Sequence, residues 1–238
     1  MRSNVQTYRS WLVRMLTAVL MAHGSVLAAY AQTQPEYRLE LGGGVGAVSY
    51  QGDFNSNITK NLQPMFTVLA KYRFNPRLSL AMNVSYGTLK GGSKDVKTYY
   101  PAPEHRDYSF KTNIVDVGWR VECNFWSYGT GEEYRGAKRV TPYIYIGLGV
   151  TGAKTDKTEL SMNVPLGGGV KYKAGDRVNL ALEWTMHFTG SDKLDGVEDP
   201  YGIKREGLFK NTDCYSHLRF SVTYDLWAKC RTCHNDKD

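Results

Sequence analysis

The chain has 238 residues, with 24 glycines, 17 tyrosines and a formal net charge of +7 at pH 7. Its first 31 residues hold three arginines and no acidic residue, so the remainder carries only +4. The basic residues are scattered, whereas a nucleic-acid-binding protein concentrates them in a patch, so no nucleic-acid partner is expected. No apolar run reaches the roughly 20 residues that a membrane-spanning helix needs, which excludes a helical membrane protein.

The first 31 residues have the pattern of a secretory signal peptide. Arg2, Arg9 and Arg14 precede the apolar run 15–22, and a small-x-small cleavage site ends at Ala31. We predict that residues 1–31 are removed and that the mature chain begins near Gln32, in an oxidising compartment where disulfides can form.

Alternation of apolar and polar residues with period two dominates the rest of the chain and predicts β-strands. Eight strands are expected, near residues 37–50, 63–74, 77–90, 114–125, 139–153, 160–173, 178–189 and 217–226. Short turns at 75–76 and 174–176 alternate with the long connections 91–109 and 190–213. Only the connection 127–138 departs from this rule, because it is long although it lies at the rim with the short turns. Short turns at one rim and long loops at the other are typical of an outer-membrane β-barrel, so we predict such a barrel over residues 32–228. An even number of strands places both termini on the short-turn, periplasmic side.

Periodicity alone does not say which face of the barrel is outside, because a soluble lipocalin-like barrel also alternates. Two features favour the membrane. Aromatic residues lie near strand ends, as interfacial girdles require: Tyr50, Tyr72, Phe74, Tyr86, Phe125, Tyr143, Tyr172, Phe188, Tyr224 and Trp227. The polar face carries charges of both signs together with glycines, which suits a narrow lumen of paired charges.

The polar face therefore predicts a network inside the barrel. Its expected members are Lys71, Arg73, Asp116, Arg120, Glu122, Glu183, His187, Arg219 and Asp225. Eight strands enclose a space that side chains just fill, so we do not expect an aqueous channel or a general porin.

Several stretches of the mature sequence resemble the PorG family, outer-membrane barrels of the type IX protein secretion system. The resemblance rests, in order along the chain, on residues 46–55, 72–80, 110–114, 141–150 and 182–184, followed by 192–197. It implies a non-enzymatic role without catalytic residues or cofactors. PorG-like barrels help to hold a periplasmic ring of the lipoprotein PorK and its partner PorN to the outer membrane. The expected ring-facing surface is the turn 127–138 and the tail 229–238.

The tail contains the sequence Cys230-Arg231-Thr232-Cys233-His234. The Cys-x-x-Cys-His pattern is that of covalent haem attachment, but four residues after the histidine cannot form a haem pocket. The tail offers three ligands, whereas a closed zinc site needs four. Two interpretations remain: a local disulfide between Cys230 and Cys233, or a disulfide from either one to a periplasmic partner. Cys123 and Cys214 are expected too far apart to pair, at lipid-facing or rim positions.

Other readings of the polar residues carry less weight. His187, Ser221 and Glu183 share the inward register and have the composition of a lipid-hydrolase site, but a role as hydrogen-bonded lumen residues explains them better. The acidic loop residues Asp192, Asp195, Glu198 and Asp199 are expected to form a solvated loop face rather than a calcium site. We predict no enzyme activity, metal, cofactor or small-molecule substrate. The alternative function is that of a small adhesin or binding scaffold acting through loops 91–109 and 190–213.

Overall fold

The computed structural model describes residues 37–51, 59–92, 109–129, 137–154, 158–190 and 214–228. The predicted signal peptide, most of the two long loops and the tail with Cys230 and Cys233 lie outside these residues. The described chain forms eight strands: β1 (Tyr37–Gln51), β2 (Gln63–Arg73), β3 (Leu78–Gly92), β4 (Ser109–Asn124), β5 (Val140–Lys154), β6 (Thr158–Lys173), β7 (Val178–Thr189) and β8 (Cys214–Ala228).

Every strand pairs antiparallel with its neighbours in sequence, and β1 pairs with β8 to close the barrel. The closing ladder runs from the pair Tyr37 and Ala228 to the pair Gln51 and Cys214. Closure satisfies the backbone groups of both edge strands, which a sheet in a lipid environment requires. The predicted eight-stranded antiparallel barrel is confirmed.

Local sequence explains the tight turns at one rim. Between β2 and β3, the Asn75 carboxamide oxygen accepts hydrogen bonds from the backbone N–H groups of Arg77 and Leu78, at 2.8 and 2.7 Å. Asparagine favours such turns because its short side chain can replace a backbone acceptor. The connection from β4 to β5 narrows at a bridge between Tyr128 and Lys138.

The distribution of polarity across the barrel wall is that of a membrane protein. Large apolar side chains such as Trp119, Ile146 and Phe220 point outward and are exposed. Charged residues in the middle of the strands, such as Arg120, Glu183 and Arg219, point inward and are buried. Exposing such a continuous apolar surface to water would be costly, and hydrocarbon is the environment that it matches. The chain is therefore a transmembrane β-barrel of the small outer-membrane type. The part of the chain described here contains no helix that could cross a membrane.

At the long-loop rim, this polarity is reversed. The outward positions there are polar in three consecutive strands, at Lys90 of β3, Lys111 of β4 and Lys154 of β5. Several of the inward positions there are apolar, as Leu89 and Phe110 illustrate. These strand ends extend above the lipid-facing belt and resemble a soluble barrel. The reversal explains why β4 begins at Ser109, five residues before the predicted start at 114.

Glycines allow the strands to approach closely where the lumen is most crowded. A Cβ at Gly147 would lie 2.1 Å from the backbone oxygen of Trp119. A Cβ at Gly167 would lie 2.5 Å from the hydroxyl of Tyr145, so that aromatic side chain uses the space that the glycine leaves.

Candidate functional site

The lumen holds a concentration of buried charge. Its six cations and five carboxylates are each at most 6% exposed: Lys71, Arg73, Arg120, Lys171, Lys173, Arg219, Glu40, Asp116, Glu122, Glu183 and Asp225. Buried charges are tolerated when they are paired and hydrogen-bonded, so the pairing decides what this interior can do.

Glu183 of β7 is the centre of the network. Its two carboxylate oxygens accept hydrogen bonds from Nη1 and Nη2 of Arg120, at 2.8 and 2.9 Å. The same carboxylate also accepts from Nη2 of Arg219 and from the hydroxyl of Tyr143. One acidic group thus connects β4, β5, β7 and β8 across the barrel.

Glu122 extends the network from the centre towards the short-turn rim. It accepts hydrogen bonds from Nε of Arg120 at 2.9 Å and from Nζ of Lys171 at 2.6 Å. Nζ of Lys71 lies 3.6 Å from Glu122 and 3.6 Å from Glu40. Lys71 therefore connects Glu122, and through it the ion pairs around Glu183, to Glu40.

A second arginine organises the base of the lumen. Nη2 of Arg73 donates to Glu40 at 2.6 Å and to Asp225 at 3.0 Å. The hydroxyl of Tyr128, from the connection between β4 and β5, donates to Oδ1 of Asn179 at 2.9 Å. Burial raises the pKa of the Tyr128 phenol well above its usual range, which keeps the phenol a neutral donor. The base is thus closed by a side chain from outside the strands.

Asp116 organises the upper lumen, and it does so with neutral donors. Its Oδ2 accepts from Thr151 at 3.1 Å, from Asn163 at 2.7 Å and from the hydroxyl of Tyr215 at 3.0 Å. The imidazole of His187 stacks on the ring of Tyr215 with a centroid separation of 4.3 Å.

An apolar cap lies in the lumen at the long-loop rim, above this layer. It consists of Val48, Tyr50, Met65, Leu89, Phe110, Ile114, Ala153 and Tyr215. The rings of Tyr50 and Phe110 meet edge to face at 4.9 Å. With the cap above and the ion network below, the interior is packed along its length and offers no aqueous path through the described barrel.

Tyr50 and Tyr143 do not belong to the outer aromatic girdles, so the prediction from their position near strand ends is wrong for both. Each side chain points into the lumen and is at most 1% exposed. Tyr50 belongs to the apolar cap, and Tyr143 donates to Glu183. The other girdle aromatics lie on the outer face or at the rims.

All nine residues of the expected polar network lie in the lumen, yet several of their partners were not anticipated. Tyr145 packs beneath the guanidinium of Arg120, whose central carbon lies 4.2 Å from the ring centroid. Lys173 pairs with Asp225, and Asn179 joins the base. The signal for these residues was their register: Tyr145 alternates with the outward Ile144 and Ile146.

The candidate catalytic group is not assembled. The carboxylate of Glu183 is occupied by two arginines, His187 contacts Asn163 at 3.3 Å, and Oγ of Ser221 has no hydrogen-bond partner. All three side chains are buried, so a substrate would have no route to them. Within the described ranges, no three His, Cys, Asp or Glu side chains form a group that could hold a metal ion.

The two described cysteines lie at opposite ends of the barrel. Cys123 is exposed near the short-turn rim, opposite Leu78 of β3. Cys214 is partly buried at the start of β8, opposite Gln51 at the long-loop end of β1.

The short-turn rim carries mainly basic side chains in the ranges that the structure describes. Arg38, Lys138, Arg139 and Arg177 are exposed there, beside a single exposed acidic residue, Asp176. Two of these cations lie over aromatic rings: Nζ of Lys138 is 4.5 Å from the centroid of Trp126, and the guanidinium of Arg177 is 5.8 Å from that of Tyr37. The rim is therefore a basic surface held against aromatic side chains.

Comparison with known proteins gives a family. The family model described as "Domain of unknown function (DUF6089)" matches residues 14–235, and the chain belongs to this family. Among proteins with curated descriptions, none matches.

Solved structures of small barrels are similar to this chain at low identity. Neisserial surface protein A is 15% identical with a TM-score of 0.46, over 79% of this chain and 97% of that one. OprG of Pseudomonas aeruginosa is 10% identical with a TM-score of 0.48, over 83% and 99%. The outer membrane enzyme PagL is 11% identical with a TM-score of 0.40, over 79% and 99%. These likenesses carry no functional argument, and the fold assignment rests on the strand pairing and the polarity of the barrel wall.

Proposed function

We propose that this member of the DUF6089 family is a non-enzymatic component of the type IX protein secretion system, located in the outer membrane. In this role it anchors the periplasmic ring of PorK and PorN to that membrane. The observation that supports the proposal is the packed lumen: an interior filled by paired charges and an apolar cap leaves the surfaces of the barrel to carry the function.

The short-turn rim is the proposed ring-facing surface. Both ends of the barrel and the connection between β4 and β5 lie at this rim. The proposed periplasmic orientation is supported by the short turns of this rim, because outer-membrane barrels have short turns on the periplasmic side. Its exposed Lys138, Arg139 and Arg177 suit an acidic surface on the partner. The tail 229–238 follows β8 in the sequence, and β8 ends at this rim.

Co-purification in mild detergent tests the proposal. We expect the tagged barrel to bring down both ring proteins, and a variant with Lys138→Gln, Arg139→Gln and Arg177→Gln to bring down less of them. A matched variant with Lys90→Gln, Lys111→Gln and Lys154→Gln, at the opposite rim, should retain the ring proteins. Absence of both ring proteins from the wild-type eluate, with normal export in cells lacking the barrel, would contradict the anchor.

The tail is tested separately. If Cys230 or Cys233 forms a disulfide with a partner, non-reducing gels of the native protein will show a heavier species that disappears with reductant. That species should be lost in a Cys230→Ser, Cys233→Ser double variant and kept in a Cys123→Ser control. Normal export after deletion of residues 229–238 would remove the tail from the mechanism and leave the rim as the contact surface.

The second candidate is a binding scaffold that acts through its long loops. It is favoured by the fact that the longest connections, 93–108 and 191–213, leave the same rim of the barrel. If this candidate is right, the wild-type barrel will not bring down the ring proteins. Deleting the two loops should then abolish its binding to host or environmental ligands.

A further inference from the structure

Three lysines form a cluster on the outer wall of the barrel at the long-loop rim. Lys90 of β3 and Lys111 of β4 are directly opposite each other in the ladder. Lys154 of β5 is opposite Asn113, two residues from Lys111. Directly opposed side chains are neighbours, and diagonal ones lie about 7–8 Å apart, so the three ammonium groups share one small area.

This arrangement costs stability unless an anion is present. Like charges opposite each other in a sheet repel, and all three side chains are exposed. With the described residues, none of the three forms an ion pair, and Asn113 between them bonds only to the hydroxyl of Thr88, at 3.0 Å. Among the residues that the structure describes, no anionic side chain balances these three charges, so the cluster is suited to bind an anionic group.

The position of the cluster indicates where that anion comes from. Two outward rows below it, Tyr86 and Val115 are opposite each other, face outward and are exposed as part of the apolar belt. Two rows along tilted strands separate this pair from Lys90 and Lys111, a rise of about 10 Å, which lies within the thickness of a headgroup layer. Aromatic and apolar side chains beneath cations are the arrangement that fits a lipid with its chains on the wall and its phosphate above.

The cluster is also confined to one side of the barrel. Among the described strands, the outward-facing cations at this rim all lie on β3, β4 and β5. On β6, Thr158 is opposite Lys154, and the outward residues next below it are Leu160 and Met162. Lysines that serve only to anchor the barrel at the interface would be distributed around it. A one-sided cluster instead suits a single headgroup with more than one phosphate.

We propose that Lys90, Lys111 and Lys154 bind the phosphate groups of lipid A, the phosphorylated glycolipid of the outer leaflet. The assignment to that leaflet rests on the orientation in the proposed function, with the long-loop rim outside. The three ammonium groups make charge-assisted hydrogen bonds to the phosphates, and the acyl chains lie along the outward face near Tyr86 and Val115.

Lipid retention in nanodiscs of phosphatidylcholine tests this proposal with the full mature barrel. Bisphosphorylated lipid A is added in limited amount, the protein is purified, and bound lipid is counted by native mass spectrometry. We expect retention to fall about tenfold or more in the variant with Lys90→Gln, Lys111→Gln and Lys154→Gln, because three charge-assisted contacts are lost. The variant with Lys138→Gln, Arg139→Gln and Arg177→Gln removes the same charge at the other rim and should retain lipid A as the wild type does.

Two further measurements keep the outcomes distinct. Enzymatically dephosphorylated lipid A should be retained poorly by the wild type, and phosphatidylglycerol should not compete at equal concentration. Equal retention by the wild type and the lysine variant, undiminished binding of dephosphorylated lipid A, or full competition by phosphatidylglycerol would each overturn the assignment. Ring co-purification is scored independently, so failure of the anchor leaves the lipid result interpretable, and the reverse also holds.

Discussion

Arg120 and Glu183 form a two-pronged ion pair in the middle of the barrel, with N–O distances of 2.8 and 2.9 Å between residues 63 positions apart in sequence. The pair joins β4 to β7, strands on different sides of the wall, and the same carboxylate also receives Arg219. The interior is thus held together across its diameter by charge, while lipid contacts stabilise the outside.

Replacing Glu183 with glutamine should destabilise the barrel strongly. The change leaves Arg219 buried without its carboxylate and Arg120 paired with Glu122, and breaking a buried pair from one side costs about 3–5 kcal/mol. Urea unfolding in lipid vesicles measures the effect. Asp176→Asn, in the exposed turn before β7, removes the same charge and should change stability by less than about 0.5 kcal/mol. Equal stability of both variants would show that the ion pairs of Glu183 do not contribute the expected stabilisation.

A methyl group at Gly169 should disturb the lumen. The Cβ of Gly169→Ala would lie 2.3 Å from the backbone oxygen of Leu182 and 2.8 Å from Cα of Glu183, and neither backbone atom can move without shifting β7. We expect a loss on the order of 1–3 kcal/mol. Gly175→Ala is the control, because nothing lies within 4 Å of its Cβ position. A Gly169→Ala barrel as stable as the Gly175→Ala barrel would contradict the close approach of β6 and β7.

Charge placed on the outer wall should be penalised according to depth. Ile146 faces outward near the middle of β5, and Val140 faces outward at the first residue of the same strand. Arginine at a bilayer midplane position costs about 2–4 kcal/mol, falling to about 0–1 kcal/mol near the interface. Ile146→Arg should therefore lower the free energy of unfolding in vesicles much more than Val140→Arg. Similar losses for the two variants would mean that the lipid belt is not centred where the structure places it.

The packed interior predicts the absence of porin-like conductance. The network around Glu183 and the apolar cap with Tyr50 and Phe110 occupy the space through which ions would pass. The mature barrel in a planar bilayer should produce no stable open steps, while a general porin in the same bilayer serves as the positive control. Reproducible ohmic steps from the purified protein would show that the lumen opens, and would indicate that the interior of the barrel carries the function.

Much of the fold could be predicted from the sequence because its decisive signal is local. Alternation along 114–125, 178–189 and 217–226 fixes which side chains share a face, because successive residues of a strand point to opposite faces of the sheet. Turn residues such as Asn75 then fix where strands end. The failures were Tyr50 and Tyr143, whose aromatic character suggested an interface although their register pointed inward.

The sequence by itself determined an eight-stranded barrel with apolar residues on one face and charges on the other. Only the tertiary structure decided which charges meet, since the partners of Glu183 come from β4 and β8, and barrel closure and stagger set their heights. The same holds for the reversed polarity above the belt, where Leu89 turns inward and Lys90 outward. Which face of the barrel wall a side chain occupies follows from its neighbours along the strand. Which side chains pair across the lumen depends on the arrangement of all eight strands.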